Sequence, residues 1–218
     1  MSTVTIDGPS ASGKSTVARL VSERLGLPLL ETGLVYRAFA YASLKTGITD
    51  PEELFKLPLK VELKVGRTVV LLNGRELPEE ELKSELVGKR ASELAALPEF
   101  RERINALFRS LLRGRPAVVE GRDAGTHVVP EAPFKFFVTA STEERAKRRY
   151  LQLKEMGKEV SYEEVLKAIK ERDERDAKRP KYPFRPAPDA VVLDTTDRTP
   201  EEVADFIVSR VRASARRS

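Results

Sequence analysis

The sequence predicts an α/β fold in which a doubly wound sheet of about five parallel strands carries a small antiparallel insert. Two patterns support this prediction. Short apolar segments bounded by turn residues alternate with helical periodicity, as expected when helices cover both faces of a parallel sheet. One region near residues 58–78 breaks the alternation with β-rich segments around tight turns. A chain of 218 residues is long enough for one such domain.

Each predicted parallel strand is a short apolar segment that ends in turn residues. The five segments are residues 3–7, 27–30, 117–120, 134–139 and 190–193. The first helix, residues 15–25, follows the first strand, because its apolar residues recur at helical spacing and Gly26 ends the pattern. Two later helices are predicted to begin at Ser141 and Thr199, each followed three residues later by Glu in the pattern of a capping box.

The antiparallel insert is predicted from two β-rich segments, residues 60–65 and 68–72, which flank a turn at Gly66-Arg67. Asn73-Gly74 marks a second turn. A separate region, residues 154–179, is too highly charged to lie in the core and contains a long polar helix.

Composition narrows the classes of function. Charged residues make up 33% of the chain and the net charge is +5, but basic residues are scattered among acidic ones, so we expect no nucleic acid polymer as a partner. No segment approaches the roughly 20 apolar residues of a membrane helix, and the start lacks the basic head and apolar run of a secretion signal. Cysteine is absent. We therefore expect a reducing, cytoplasmic location without a membrane partner.

A glycine-rich segment between the first strand and the first helix matches the phosphate-loop pattern G-x-x-x-x-G-K-[ST]. It reads Gly8-Pro-Ser-Ala-Ser-Gly13-Lys14-Ser15, and the flanking strand and helix are those that the pattern requires. Glycines let backbone N–H groups converge on phosphate oxygens, and the helix N-terminus adds partial positive charge. The sequence therefore predicts a P-loop NTPase fold that binds a nucleoside triphosphate with Mg²⁺, and the loop alone does not separate a kinase from an ATPase or a GTPase. We expect the nucleotide to be ATP.

The predicted roles within this loop follow from the chemistry of its side chains. Lys14 is predicted to be catalytic because its ammonium can reach the β- and γ-phosphates, and the Ser15 hydroxyl is the predicted ligand of Mg²⁺. A GTPase is not favoured, since neither Asn of the chain lies in the Asn-Lys-x-Asp motif that reads guanine. The predicted ATP-binding residues are Gly8, Pro9, Ser10, Ala11, Ser12, Gly13, Lys14, Ser15 and Thr16.

Charged residues follow the ends of predicted strands, where ligands of α/β proteins bind. The segment TGLVYR, residues 32–37, follows the second strand, and EGRD, residues 120–123, follows the third. Residues 171–179 of the polar helix read ERDERDAKR. A kinase of small anions needs such cations for the phosphate of its acceptor.

In these motifs and in their order along the chain, the sequence resembles the bacterial cytidylate kinases. The matching stretches are GPSASGKST, LETGLVYRAFA, ASELAALPEFR, VEGRDAGTHVVPEA, TASTEERAKRRYLQL, and ERDERDAKR followed by PDAVVLDTT, which run from residue 8 to about 196. The resemblance implies the nucleoside-monophosphate-kinase fold with a mobile monophosphate-binding insert and a short lid. It also implies transfer of the γ-phosphoryl group of ATP to CMP or dCMP.

The resemblance implies a division of the single domain 1–218. The core would be residues 1–32 and 114–218, the monophosphate-binding region with the antiparallel insert about 33–113, and the lid about 154–164. The P-loop ends in Lys-Ser-Thr where many relatives have Lys-Gly-Thr, so Ser15, Thr16 or both remain open as ligands of the metal.

The acceptor residues are implied position by position, and Arg122 and Asp123 join Lys14 as predicted catalytic residues. Arg37 and Arg122 would hold the acceptor phosphate; Thr32, Arg101, Asp123 and Arg179 would face the cytosine; Ser92, Arg172 and Asp176 would face the sugar.

Plainer interpretations stay open for several of these side chains. Arg122 and Asp123 would also suit an ion pair within one loop. Arg172, Asp176 and Arg179 share one helical face, which would also suit a solvated ladder of ion pairs.

One histidine and a group of four basic residues stand outside the roles given above. His127 is the only histidine, and we interpret it as structural because phosphoryl transfer needs positioning and charge more than a strong base. Candidate cations of the lid, several of which we expect to face solvent, are Arg145, Lys147, Arg148 and Arg149.

Two other functions fit parts of the sequence. One is a P-loop kinase for a different small acceptor, such as UMP or shikimate. The other is an ATP-dependent RNA-binding module, which the basic charge suggests but which lacks a β-surface cluster of aromatic residues to stack bases. We expect a monomer whose partners are ATP and CMP or dCMP.

Overall fold

A computed structural model describes residues 2–179 and 181–215. In chain order the strands are β1 (Val4–Asp7), β2 (Leu29–Glu31), β3 (Leu59–Lys64), β4 (Arg67–Leu72), β5 (Arg75–Glu76), β6 (Val118–Gly121), β7 (Phe134–Thr139) and β8 (Val191–Asp194). The helices are α1 (Lys14–Leu25), α2 (Thr32–Thr46), α3 (Pro51–Phe55), α4 (Glu79–Leu82), α5 (Glu85–Ala95), α6 (Pro98–Leu112), α7 (Thr142–Glu155), α8 (Tyr162–Ala177) and α9 (Pro200–Ala215). A π-helical turn, Ala124–Val128, follows β6.

Five strands form an all-parallel sheet in the order β2-β6-β1-β7-β8, which confirms the predicted α/β architecture. One apolar cluster lies between this sheet and α2, α5 and α6, with Phe100 and Phe108 fully buried. A second cluster lies between the opposite face and α1 and α9, with Phe136 and Ile207 fully buried. Because both faces are covered, side chains on both sides of the strands are buried, including those of the polar residues Thr5 and Lys135.

The register brings the carboxyl ends of three strands to one edge of the sheet. Asp7 of β1 is opposite Gly121 of β6, and Glu31 of β2 is opposite Glu120 of β6. Each of these strands therefore ends beside the loop that follows its neighbour. This edge is the one at which ligands of doubly wound sheets bind.

The predicted insert is a separate antiparallel sheet of strands β3, β4 and β5. Asn73 and Gly74 have φ angles of 53° and 76°, the left-handed conformation that a tight turn between two strands requires. Thr68 attaches this sheet to β2, since its Oγ1 donates to Leu29 O at 2.8 Å and accepts from the Glu31 N–H at 2.8 Å. Pro28 forms an isolated bridge with Val65, next to the insert, and β2 begins at Leu29 rather than at the predicted residue 27.

The helix starts confirm one of the two predicted capping boxes in full. Thr199 and Glu202 exchange both hydrogen bonds, at 3.2 and 2.8 Å. Ser141 caps α7 with its side chain, but its N–H donates to Thr196 Oγ1 at 3.1 Å, so the reciprocal half of the box is absent there. A complete capping box that was not predicted begins α8, between Ser161 and Glu164.

The polar region lies outside the two main apolar clusters. There α7 and α8 pack against each other through a small cluster that includes Ala146, Val165 and Ile169. Gly157, with a φ of 73°, lies in the connection between them. The division into core, insert region and lid at residues 154–164 stays a prediction. None of the helices in the described residues is long and apolar enough to cross a membrane.

Candidate active site

The phosphate loop joins β1 to α1 through two glycines, one required by close packing and the other favoured by its backbone conformation. A Cβ built on Gly8 would lie 2.0 Å from Val138 O, so the loop passes against β7 only without a side chain. Gly13 has a φ of 86° and precedes α1. Because Gly13 has no side chain to cap the helix, the first backbone N–H groups of α1 are left to an anion.

Lys14 lies at the start of α1 with its ammonium buried beside the loop. Its Nζ donates to Pro9 O at 3.1 Å and lies 3.7 Å from Glu120 Oε1. Burial lowers the pKa of Lys14 to about 8, although the Glu120 charge acts in the opposite direction. Burial raises the pKa of Glu120. The pair therefore holds the Lys14 ammonium beside the backbone of the loop.

Three residues outside the loop hold its backbone in place. Thr195 Oγ1 and Arg148 Nη1 lie 3.0 and 3.3 Å from Ser12 O, and Arg145 Nη1 lies 3.5 Å from Ser10 O. Arg145 is also bidentate to Asp173, at 2.6 and 3.2 Å. Of the candidate lid cations, these two arginines face the loop.

The remaining two candidate lid cations differ in exposure. Lys147 is the one exposed member of the set of four, whereas we expected several of them to face solvent. Arg149 is half-buried and donates to Gln152 at 2.8 Å.

The acceptor residues form two ion-pair groups at the same edge of the sheet. Asp123 pairs with Arg101. Asp176, which is only 3% exposed, pairs with both Arg122 and Arg179, the latter at 2.8 Å. The adjacent residues Arg122 and Asp123 therefore each pair elsewhere, so the plainer interpretation of an ion pair within the loop is wrong.

Positive charge exceeds negative charge around these groups. Burial lowers the pKa of Arg122 to about 9, and the nearby Arg172 and Arg179 lower it further. Burial, with Arg37 as the largest charged contributor, lowers the pKa of Arg172 to about 10. Arg37 also has a lowered pKa through burial and Arg149. Mutual repulsion of this kind is relieved by binding an anion.

Two predicted acceptor residues, Thr32 and Ser92, are not part of the ion-pair groups. Thr32 is buried at the start of α2, and its Oγ1 donates to Glu120 O at 2.9 Å. Ser92 is half-buried on α5, which packs against α2. No side-chain hydrogen bond joins Ser92 to the charged groups among the residues that the structure describes.

Several polar groups at this edge were missed from the sequence. Asp7 is buried and accepts from the N–H groups of Ala124 and Gly125 at 2.9 and 2.8 Å, and burial raises its pKa to about 7. Burial likewise raises the pKa of Glu31 to about 7. Both are acids at the end of a buried strand, which is a signal that could have found them. The Tyr36 hydroxyl is buried without a hydrogen-bond partner in the described part of the chain.

Two aromatic residues also reach the acceptor groups from a loop. Tyr182 and Phe184 lie between α8 and β8, over the guanidinium groups of Arg101 and Arg122 respectively. They have neither helical nor strand periodicity around them, so no pattern pointed to them.

A complete phosphate loop beside a second, arginine-rich anion site at one edge of a doubly wound sheet defines a P-loop kinase. Comparison with known proteins narrows the class. Residues 4–213 match the family described as cytidylate kinase, and the chain belongs to this family.

The similarity to individual family members extends over nearly the whole chain. A cytidylate kinase of Aquifex aeolicus (strain VF5) is 61% identical over 207 residues, which are 94% of this chain and 93% of that protein. A cytidylate kinase of Stutzerimonas stutzeri (strain A1501) is 43% identical over 216 residues, or 95% and 94% of the two chains.

Solved structures show the fold alone. A shikimate kinase from Bacteroides thetaiotaomicron has a TM-score of 0.51 at 12% identity, covering 99% of this chain and 98% of that one.

Proposed function

We propose that this protein transfers the γ-phosphoryl group of ATP to CMP, and to dCMP as a second acceptor. The observation that carries the proposal is the pair of acidic residues, Asp123 and Asp176, each neutralised by arginine opposite an intact phosphate loop. Such a site offers cations for an acceptor phosphate and carboxylates for donors on a base and a sugar. Membership of the cytidylate kinase family supports the same acceptor.

The donor half of the site would bind the ATP phosphates. Residues 8–16 supply backbone N–H groups, and Lys14 follows the charge of the migrating phosphoryl group. The acceptor is itself a phosphate oxygen of low pKa, so no general base is required. The protein's contribution is to align the two phosphates, cancel their repulsion and exclude water.

In the acceptor half of the site, different residues would bind the phosphate, the base and the sugar of the nucleotide. Arg37 and Arg122 hold the acceptor phosphate, which relieves the repulsion among the buried arginines. Thr32, Arg101, Asp123 and Arg179 face the cytosine, and Ser92, Arg172 and Asp176 face the sugar.

The chemistry of the donor set fits Mg²⁺. The Ser15 hydroxyl is exposed at the second residue of α1, and the Glu31 and Glu120 carboxylates end the neighbouring strands. These are hard oxygen groups, and Mg²⁺ takes few protein ligands when it binds nucleotide phosphates. When bound, the ion supplies further compensation of phosphate charge. Ser15 is the proposed ligand, and Thr16, which is also exposed, is the alternative.

We also propose how the chain closes over its substrates, where it acts and in what oligomeric state. Residues 33–113 and the lid at 154–164 would close over the two nucleotides and exclude water. A cysteine-free chain suits a reducing cytoplasm, and we propose that the enzyme acts there as a monomer.

A coupled assay of ADP release across CMP, dCMP, UMP, AMP, GMP, dTMP and shikimate tests the proposal. CMP should give the highest kcat/KM, and excess EDTA should abolish turnover until Mg²⁺ is restored. Faster turnover of UMP or shikimate than of CMP would identify that compound as the acceptor instead. Turnover in excess EDTA would contradict the proposed requirement for Mg²⁺. ATP hydrolysis that requires RNA and ignores CMP would instead favour the RNA-binding alternative.

A further inference from the structure

The loop between α8 and β8 places a strained tyrosine against the acceptor groups. Tyr182 has a φ of 64° and precedes Pro183, although a bulky residue rarely adopts a positive φ and a residue before proline favours extended backbone. Such conformations persist only when their surroundings hold them in place, and they concentrate at functional sites. Tyr182 also lies between the two stretches, ending at residue 179 and beginning at 188, that carry the family resemblance.

Two contacts hold this segment on either side of the tyrosine. Lys181 Nζ pairs with Glu102 Oε1 of α6 at 2.8 Å. The Phe184 N–H donates to Asp176 O of α8 at 3.1 Å. The segment is therefore tied both to the helix that carries Arg101 and to the helix that carries Asp176.

The Arg101 guanidinium lies over the ring of Tyr182. The distance from Arg101 Cζ to the ring centroid is 4.6 Å. His127 packs edge-on against the same ring, with centroids 4.6 Å apart and an interplanar angle of 73°. The tyrosine is thus packed between a cation and an imidazole rather than pointing freely into solvent.

The contact with Tyr182 uses none of the N–H donors of Arg101, because a cation is attracted to the π-face of the ring rather than to a hydrogen-bond acceptor. Arg101 pairs with Asp123 at the same time. Its Nε is buried and has no hydrogen-bond partner among the described residues. The arrangement therefore keeps a donor free while the orientation of the group is fixed.

We propose that Tyr182 is a positioning residue for recognition of the acceptor base: its ring holds the Arg101 guanidinium in the plane in which it pairs with Asp123 and reaches a pyrimidine. The inference rests on the proposed function, in which Arg101 and Asp123 face the cytosine. Tyr182 does not touch the transferred phosphoryl group, so its effect falls on the acceptor and not on ATP.

The test is steady-state kinetics of Tyr182→Leu and Tyr182→Phe with CMP, UMP and ATP. A cation–π contact at a half-buried site corresponds to about a fivefold effect. Tyr182→Leu should lower kcat/KM for CMP about fivefold, mainly through KM, and lower the CMP-to-UMP ratio, with the KM for ATP within twofold of wild type. Tyr182→Phe keeps the π-face and should retain CMP use within twofold.

A matched control uses a tyrosine that has a similar cation contact, but with a lysine that has no proposed role in the site. Lys45 Nζ lies 5.3 Å from the ring of Tyr41 on α2, so Tyr41→Leu makes the same change there and should leave CMP use within twofold of wild type. An equal loss in that variant would mean that any lost tyrosine ring has this effect, and would overturn the inference.

A double-mutant cycle shows whether Tyr182 acts through Arg101. In an Arg101→Met background, Tyr182→Leu should change kcat/KM for CMP by less than twofold. A repeated fivefold loss there, an equal loss in Tyr182→Phe, or unchanged CMP use in Tyr182→Leu would overturn the inference. So would a fall of melting temperature or ATP affinity that accounts for the loss. Wild type that does not use CMP would refute the proposed function itself, which separates the two failures.

Discussion

Removing the charge of Asp176 should destabilise the folded protein strongly. Asp176 is only 3% exposed and compensates two guanidinium groups, those of Arg122 and Arg179. In Asp176→Asn, side-chain volume and one hydrogen-bond acceptor remain, but both cations lose their buried counter-charge. Breaking a buried ion pair from one side costs roughly 3–5 kcal/mol.

The lower end of that range applies here, because the two arginine side chains remain 20% and 24% exposed and water relieves part of the cost. A loss of about 3 kcal/mol in a chain of this size lowers the melting temperature by roughly 6–12 °C. The KM for CMP should also rise, while the KM for ATP stays within twofold.

Thermal melting by circular dichroism, with CMP kinetics on the same samples, measures both effects. Glu174→Gln is the matched control on the same helix, because Glu174 is 70% exposed and pairs with Lys178 at 3.8 Å. That variant should melt within about 1 °C of wild type. If Asp176→Asn also melts within 2 °C of wild type, Asp176 does not compensate the arginines and the reasoning fails.

Three further predictions concern the two halves of the site. Lys14→Ala should lower kcat by roughly 10²–10³, since a preorganised charge is lost at the transition state, and retention of a third of the rate would contradict the role of the loop. In the free enzyme, Lys14 is protonated below its lowered pKa of about 8 and neutral above it, so kcat/KM for ATP should fall above that pH; a flat profile to pH 10 would refute this. Asp123→Asn should reduce the CMP-to-UMP ratio of kcat/KM at least about tenfold, because only a carboxylate repels the uracil carbonyl, and a ratio within twofold of wild type would leave Asp123 as a partner of Arg101 alone.

The features that could be predicted from sequence are those specified locally. The phosphate loop is a contiguous pattern flanked by a strand and a helix, and the sheet follows from short apolar segments. The capping box at Thr199 is equally local. At Ser141 a contact with Thr196, far along the chain, replaces half of the expected box, and no local pattern contains that information.

Ion-pair partners illustrate the same limit within the site. Arg122 and Asp123 are neighbours in sequence, but they project to different helices and pair with Asp176 and Arg101. The charged motifs and, for Arg101, the family resemblance identified the participants but not their pairing, because pairing depends on how α6 and α8 pack around the strand ends. The contact of Tyr182 with Arg101 could not be predicted for a related reason, since the position of Tyr182 depends on an irregular loop.

The attachment of the small sheet to β2 affects the tendency of the protein to aggregate. β2 is an outer strand of the parallel sheet, and an uncovered outer strand is a template on which other chains can add. Thr68 and the Pro28–Val65 bridge occupy part of that strand's backbone, and the Gly66 N–H donates to Ser22 Oγ at 2.9 Å beside it. Residues 59–76 therefore protect β2 against edge-to-edge aggregation. An enzyme shortened by excising them should precipitate through β2 rather than persist as a smaller folded core.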